Sequence, residues 1–181
     1  MASRPKIYLD SCCYIDVAKG EDRVKAESPG REAHLWWTET LISAAVAGEI
    51  EIVASTLIIA ECLHAGDGSN IPDSTKDTFK RLLTSGQVTL VSPDVFVVEL
   101  ARDLLWVDGI NCGGGTDAVH VATALDLKCE EFITHNTGKG PAKPITIPKL
   151  AAKGLRVIAP AQTSVLPDSY TRPLLPPGPK K

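Results

Sequence analysis

The fold class that this sequence predicts is α/β with a mainly parallel central sheet, and three observations lead there. Five short, β-rich apolar runs recur along the chain: KIYL (6–9), EIVA (51–54), QVTLV (87–91), EEFIT (130–134) and LRVIA (155–159). The segments between them carry helical spacing or turn residues, and strands alternating with helices pair in parallel through crossover connections. The chain has 181 residues, 44% of them apolar, which suits one compact domain with a substantial buried core.

The elements follow in order. KIYL runs directly into Asp10, within ten residues of the start. REAHLWWTETLISAAVA then places Leu35, Thr38, Leu41, Ile42 and Ala45 on one stripe, a packing helix with Trp36 and Trp37 at its core edge or on a partner surface. After EIVA, Ser55 or Thr56 can cap a helix through Leu57, Ile58, Ile59 and Ala60 to Glu61. DSTKDTFKRLLTS behind Pro72 and PDVFVVELARDLLWV with Pro93 in its first turn predict two further helices. NCGGGTDAVHVATALDLK predicts another, with Thr116 as N-cap, Asp117 in the first turn, and Ala118, Val121, Ala122 and Leu125 as the buried stripe. His120 and Ala124 then fall on a different side. Residues 160–181 carry six prolines, which neither a helix nor a central strand accommodates. The expected organisation is a domain over 1–159 and an extended, basic tail over 160–181.

Several function classes are disfavoured at once. No apolar stretch approaches the roughly 18 residues of a membrane span, and MASRPKIYLD lacks a secretory core; a soluble, cytoplasmic protein is expected. The five cysteines (Cys12, Cys13, Cys62, Cys112, Cys129) form no C-x-x-C pair or zinc spacing and read as reduced thiols. Gly113 to Gly115 lead into Thr116 and Asp117, not the Lys-Ser/Thr of a P-loop. The net charge of −3 hides an asymmetry. Residues 137–181 hold eight Lys/Arg against one acid, so the remaining body is strongly acidic. Such a chain can hold a cation and a polyanion at neighbouring places.

Ligands of open parallel α/β sheets gather outside the carboxyl ends of the strands, and acids stand there repeatedly. Asp10 follows the first strand. Glu61 is the only acid in its apolar helix, where an unpaired charge is expensive. Asp117 opens the helix after the glycines; the helix dipole alone favours an acid there by about 0.3 to 1 kcal/mol, which explains Asp117 but not the other two. After EEFIT, Thr134, His135 and Asn136 hold an amide where an acid might stand. Three carboxylates converging on one crevice repel one another unless a divalent cation neutralises them, and hard oxygen ligands suit Mg²⁺ or Mn²⁺.

YLDSCCYIDVAKGE, ASTLIIAECLHAG, GTDAVHVATALDLKCEEFIT and THN resemble, in order, the acidic motifs of PIN-domain nucleases, and among these the VapC-like toxins of bacterial toxin–antitoxin pairs. The resemblance spans roughly residues 6–136 and is most specific in the Asp-Ala-x-x-x-Ala-Thr-Ala-Leu run from Asp117. It implies a three-layer fold with a parallel sheet between helices and a Mg²⁺- or Mn²⁺-dependent endoribonuclease leaving 5′-phosphate and 3′-hydroxyl ends. It carries over Asp10, Glu61 and Asp117 as the catalytic, metal-binding acids, with Asn136 as a weaker fourth ligand. Ser11, Thr134, Lys139 and Lys143 are candidates for phosphate or water contacts, while His120 and His135 are read as structural. RNA, a cognate antitoxin protein, and further copies of the chain in a homodimer or higher oligomer are the expected partners. Two departures stand out: Cys12 where the family often has Asn, and Asn136 where Asp is common. They favour the competing reading, a degenerate PIN domain that binds RNA or protein without cutting.

Overall fold

All five β-rich runs become strands: β1 (Lys6–Leu9), β2 (Glu51–Ser55), β3 (Val88–Val91), β4 (Glu131–Ile133) and β5 (Arg156–Ile158). They appear in a computed structural model that describes residues 4–62, 71–135 and 147–171. The strands form one sheet in the order β3-β2-β1-β4-β5, every neighbouring pair parallel. Helices α1 (Ser11–Lys19), α2 (Glu21–Glu27), α3 (Glu32–Val46), α4 (Leu57–Glu61), α5 (Asp73–Thr84), α6 (Val95–Trp106), α7 (Gly115–Asp126), α8 (Ile147–Ala152) and α9 (Asp168–Thr171) flank it. This is the expected three-layer α/β architecture. Among the described residues no helix is long and apolar enough to cross a membrane.

A parallel sheet covered on both faces buries both sides of its central strands, so these read as continuous apolar runs rather than alternating ones. Ile7, Tyr8 and Leu9 of β1 have no exposed surface, and Ile52, Val53 and Ala54 of β2 and Phe132 and Ile133 of β4 join them in the core. Leu41 and Ala44 of α3, Leu104 of α6, and Val121 and Ala122 of α7 complete the packing from the helical layers.

The structure departs from the expected elements in several places; Pro93, for one, precedes the Asp94 N-cap of α6 instead of lying in its first turn. Helices α1 and α2 occupy a segment for which no helix is expected: Asp10 caps α1, and positive φ at Gly20 (76°) separates the two. The N-cap of α7 is Gly114, not Thr116, which lies inside the first turn. The side of α7 that carries His120 and Ala124 is itself buried. Helix α4 has only five residues and ends at Glu61; residues 63–70, with His64, lie outside the described residues.

Residues 160–171 lie against the body, with Pro160 and Leu166 buried and a 3-10 turn at Pro160–Gln162 touching α3. Residues 172–181 are outside the described residues. A buried acid anchors the segment. Glu131, only 1% exposed, accepts hydrogen bonds from Arg156 Nη2 (2.7 Å), Thr163 Oγ1 (2.6 Å), and the Ser164 backbone N and Oγ (both 3.0 Å). Every donor comes from β5 or the segment beyond it. Glu131→Ala strands these donors and is expected to cost about 3 kcal/mol, since hydrogen bonds to a charged group contribute about 1.5 to 3 kcal/mol each and their loss is only partly offset by water. Urea unfolding followed by circular dichroism measures the loss; an unchanged midpoint contradicts the anchoring role.

Candidate active site

In the strand order β3-β2-β1-β4-β5 the chain leaves β1 toward β2 on one side and returns to β4 on the other. The carboxyl ends of β1 and β4 therefore flank the switch point where such sheets open a crevice. Register pairs Leu9 with Ile133, and the Asp10 backbone N donates to Ile133 O at 3.0 Å, so Asp10 and Thr134 emerge side by side. Thr134 Oγ1 donates to Asp10 Oδ2 at 2.6 Å, and the Cys12 thiol donates to the same oxygen at 3.3 Å. Asp10 Oδ1 accepts from the Ser11 backbone N at 2.8 Å at the start of α1. The acid is thus a helix cap and a fixed member of the crevice at once. Cys12, standing where an orienting amide was expected, still touches Asp10, and its sulfur accepts from the His135 backbone N at 3.4 Å.

Glu61 reaches the crevice from the last residue of α4, and its orientation comes from the core. His120 Nε2 lies 3.0 Å from Glu61 Oε2, and His120 Nδ1 lies 2.5 Å from Tyr8 Oη, with both His120 and Tyr8 fully buried. Tyr8 Oη also accepts from the Ser55 backbone N at 2.8 Å. Burial holds the Tyr8 phenol well above its ordinary pKa, so it keeps its proton. Among the described residues the only acceptor for that proton is His120 Nδ1, which leaves Nε2 bearing hydrogen and donating to Glu61. A ring nitrogen that bears hydrogen is no metal ligand. Although Asp10, Glu61 and His120 offer donor atoms within 4.8 Å of one another, the two carboxylates are the candidate ligands and the imidazole orients one of them.

Asp117 sits in the first turn of α7, where Gly113 at φ 100° turns the chain into the helix, and its Oδ2 accepts from the Gly114 backbone N at 2.8 Å. Its carboxyl is held above the usual carboxylate range by burial first, and by the nearby charges of Asp10 and Glu61; the Gly114 N–H and His120 oppose the shift. The three acids are therefore within electrostatic reach of one another. Asp10 and Asp117 line a cavity of about 380 Å³ together with Ser11, Cys12, Arg31 and His135. A larger apolar cavity of about 580 Å³ beside Ile59, Phe79 and Leu90 contains none of the acids.

Asn136, Lys139 and Lys143 lie outside the described residues. Five residues that sequence reading passed over or set aside belong to the site. Tyr8 and His120 orient Glu61. Asp16 of α1, nearly buried, faces Arg31 at the start of α3, whose Nη2 lies 3.0 Å from Oδ1 and 2.9 Å from Oδ2, and His135 Nε2 lies 3.0 Å from Oδ2. The signals were a tyrosine inside a wholly buried strand, whose hydroxyl needs a partner, and an acid within the apolar run CCYIDVA, which needs a cation.

A family model for the PIN domain matches residues 7–138. No curated protein matches the chain.

Because its carboxyl is raised in the fold, Asp117 binds a proton more readily folded than unfolded, and the metal-free protein loses stability as pH rises through the window above the unfolded value. Asp117→Asn keeps an acceptor for Gly114 and removes the charge. In EDTA the variant is expected to melt higher than wild type at neutral pH, with the difference shrinking as the solution is acidified through that window. Differential scanning calorimetry checks this; a lower melting temperature at neutral pH contradicts the charge-repulsion account.

Proposed function

Because the chain belongs to the PIN-domain family, whose members are generally nucleases, we propose that it is a divalent-metal-dependent endoribonuclease that hydrolyses RNA phosphodiester bonds. The observation that supports this most is the grouping of acids at the β1/β4 crevice: Asp10 and Glu61 offer donor atoms within 4.8 Å of one another, and Asp10 and Asp117 line one cavity. Like charges gathered in a half-buried place fit a cation site, and an all-carboxylate donor set fits Mg²⁺ or Mn²⁺. Asn136 completes this proposed set as a weaker fourth ligand.

When bound, such a cation polarises the scissile phosphate and acidifies water at neutral pH. The protein's own part is positional. Thr134 and Cys12 fix one oxygen of Asp10, the α1 start fixes the other, and the Tyr8–His120 pair aims Glu61. Ser11, whose hydroxyl lines the cavity, is placed to hold a water or a phosphate oxygen, and Lys139 and Lys143 are proposed phosphate contacts. The Cys12 bond to Asp10 weakens the case for a degenerate, purely binding domain, because this departure keeps a donor on the acid. By the likeness to VapC-like toxins, the same reading makes the chain a cytoplasmic toxin held in check by an antitoxin. The exposed apolar side chains of α6, with Phe96 and Trp106 about three-quarters exposed, support self-association into a homodimer.

Purified protein is expected to cut single-stranded RNA only with Mg²⁺ or Mn²⁺, and Asp117→Asn to lose about two orders of magnitude in rate, the usual scale for removing charge stabilisation from a phosphoryl-transfer site. Full activity in excess EDTA sinks the metal mechanism. Tyr8→Phe removes the donor that fixes the His120 tautomer, and losing such a supporting hydrogen bond typically costs about 10- to 100-fold in metal affinity. Isothermal titration with Mn²⁺ reads that loss directly, and activity is expected to recover at high Mn²⁺; unchanged Mn²⁺ affinity shows that Glu61 needs no orienting partner.

A further inference from the structure

The crevice has two chemically different walls. Asp10 and Asp117 form the acidic one, and across the same cavity of about 380 Å³ stand Arg31 and His135, with Ser11 and Cys12 of the first α1 turn between them. The basic wall is built from behind. Asp16 is 4% exposed, and burying a carboxylate is costly unless a cation meets it; here Arg31 does, at 2.9 Å, with the His135 ring beside the same oxygen at 3.0 Å. His34 packs its ring against His135 with centroids 5.4 Å apart, closing the far side. Arg31 keeps its side chain 33% exposed although its partner is buried. Among the described residues every hydrogen bond it donates, to Asp16 and to Cys12 O (3.4 Å), comes from Nη2, while Nε is buried without a partner. The guanidinium is therefore clamped by one terminal nitrogen, with the other terminal nitrogen left for an incoming group.

We infer that Arg31, clamped by Asp16, is a phosphate-binding residue of this crevice, donating to a non-bridging oxygen in the backbone of the RNA strand that lies over Asp10 and Asp117. The inference rests on the ribonuclease reading and names how the substrate is held. A planar guanidinium fits a phosphate better than an ammonium does, and fixing it in advance lowers the entropic cost of the contact. The strand so held spans the two walls, one phosphate facing the acids and another facing Arg31.

Binding of a short fluorescein-labelled single-stranded RNA, followed by anisotropy across a salt series in EDTA, tests the contact without cleavage. Arg31→Gln alone leaves Asp16 buried without its main cation and risks misfolding, so the informative protein carries Asp16→Asn together with Arg31→Gln, which removes both charges and keeps their shapes. Loss of one phosphate contact is expected to flatten the slope of log affinity against log salt by about 0.7. Asp16→Asn alone, which leaves Arg31 charged, is expected to keep the wild-type slope or steepen it. A second measurement needs no substitution: phenylglyoxal modification of wild-type protein, read by mass spectrometry, should be blocked at Arg31 by bound RNA and unaffected at Arg102 on α6. Equal slopes for wild type and the double variant, or no protection of Arg31, overturn the inference and leave the ribonuclease reading standing. Wild-type protein that binds no RNA at any salt overturns the inference, while the cleavage assay with Mn²⁺ decides the ribonuclease reading separately.

Discussion

The whole arrangement depends on β1 being the middle strand of a parallel sheet, buried on both faces by helices. A strand so enclosed meets water only at its ends, and parallel neighbours bring their carboxyl ends to the same edge. Asp10 is the first acid of the chain, and it is partly solvated while still fixed by the core. Its neighbour across the sheet is dictated by register, since Leu9 pairs with Ile133 and Thr134 follows. Hydrophobic burial thus sets the geometry of a polar site to which it contributes no atom.

The second support is a chain of polar groups that begins in the core. The Ser55 amide, the Tyr8 hydroxyl and the His120 imidazole each give a proton to the next, ending on Glu61. Every link but the last is buried and satisfied, the condition under which polar groups in a core rigidify rather than destabilise. The apolar layer between sheet and helix therefore contains one directional feature, aimed at the crevice. Glu61 needs it because α4 is a five-residue helix with little packing of its own.

Much of this was legible in the sequence. All five strands and the helices α3, α5, α6 and α7 lie where apolar runs and spacing put them, because each is long or strongly patterned. The three candidate acids were legible because each is conspicuous where it stands: Asp10 directly behind a strand, Glu61 alone in an apolar helix, Asp117 at a helix start. Helix α1 was not, since nine residues give only a short window and Asp10 serves as its cap without looking like one. His120 was seen but set aside, because its partners, Tyr8 and Glu61, lie 112 and 59 positions away and only the fold joins them. Asp16 left a trace as an acid within the apolar run CCYIDVA, but its pairing with Arg31 and His135 did not, because contacts between separate elements leave no periodic pattern.

The bond between Thr134 and Asp10 spans 124 positions of sequence, and this has a consequence for biosynthesis. Asp10 leaves the ribosome well before the strand that completes its surroundings. At about 5 to 20 residues per second, the first acid waits on the order of ten seconds for its partner. Throughout that interval the nascent chain has no assembled crevice. Whatever chemistry the crevice performs therefore begins only once the β4 segment has been made and has joined β1.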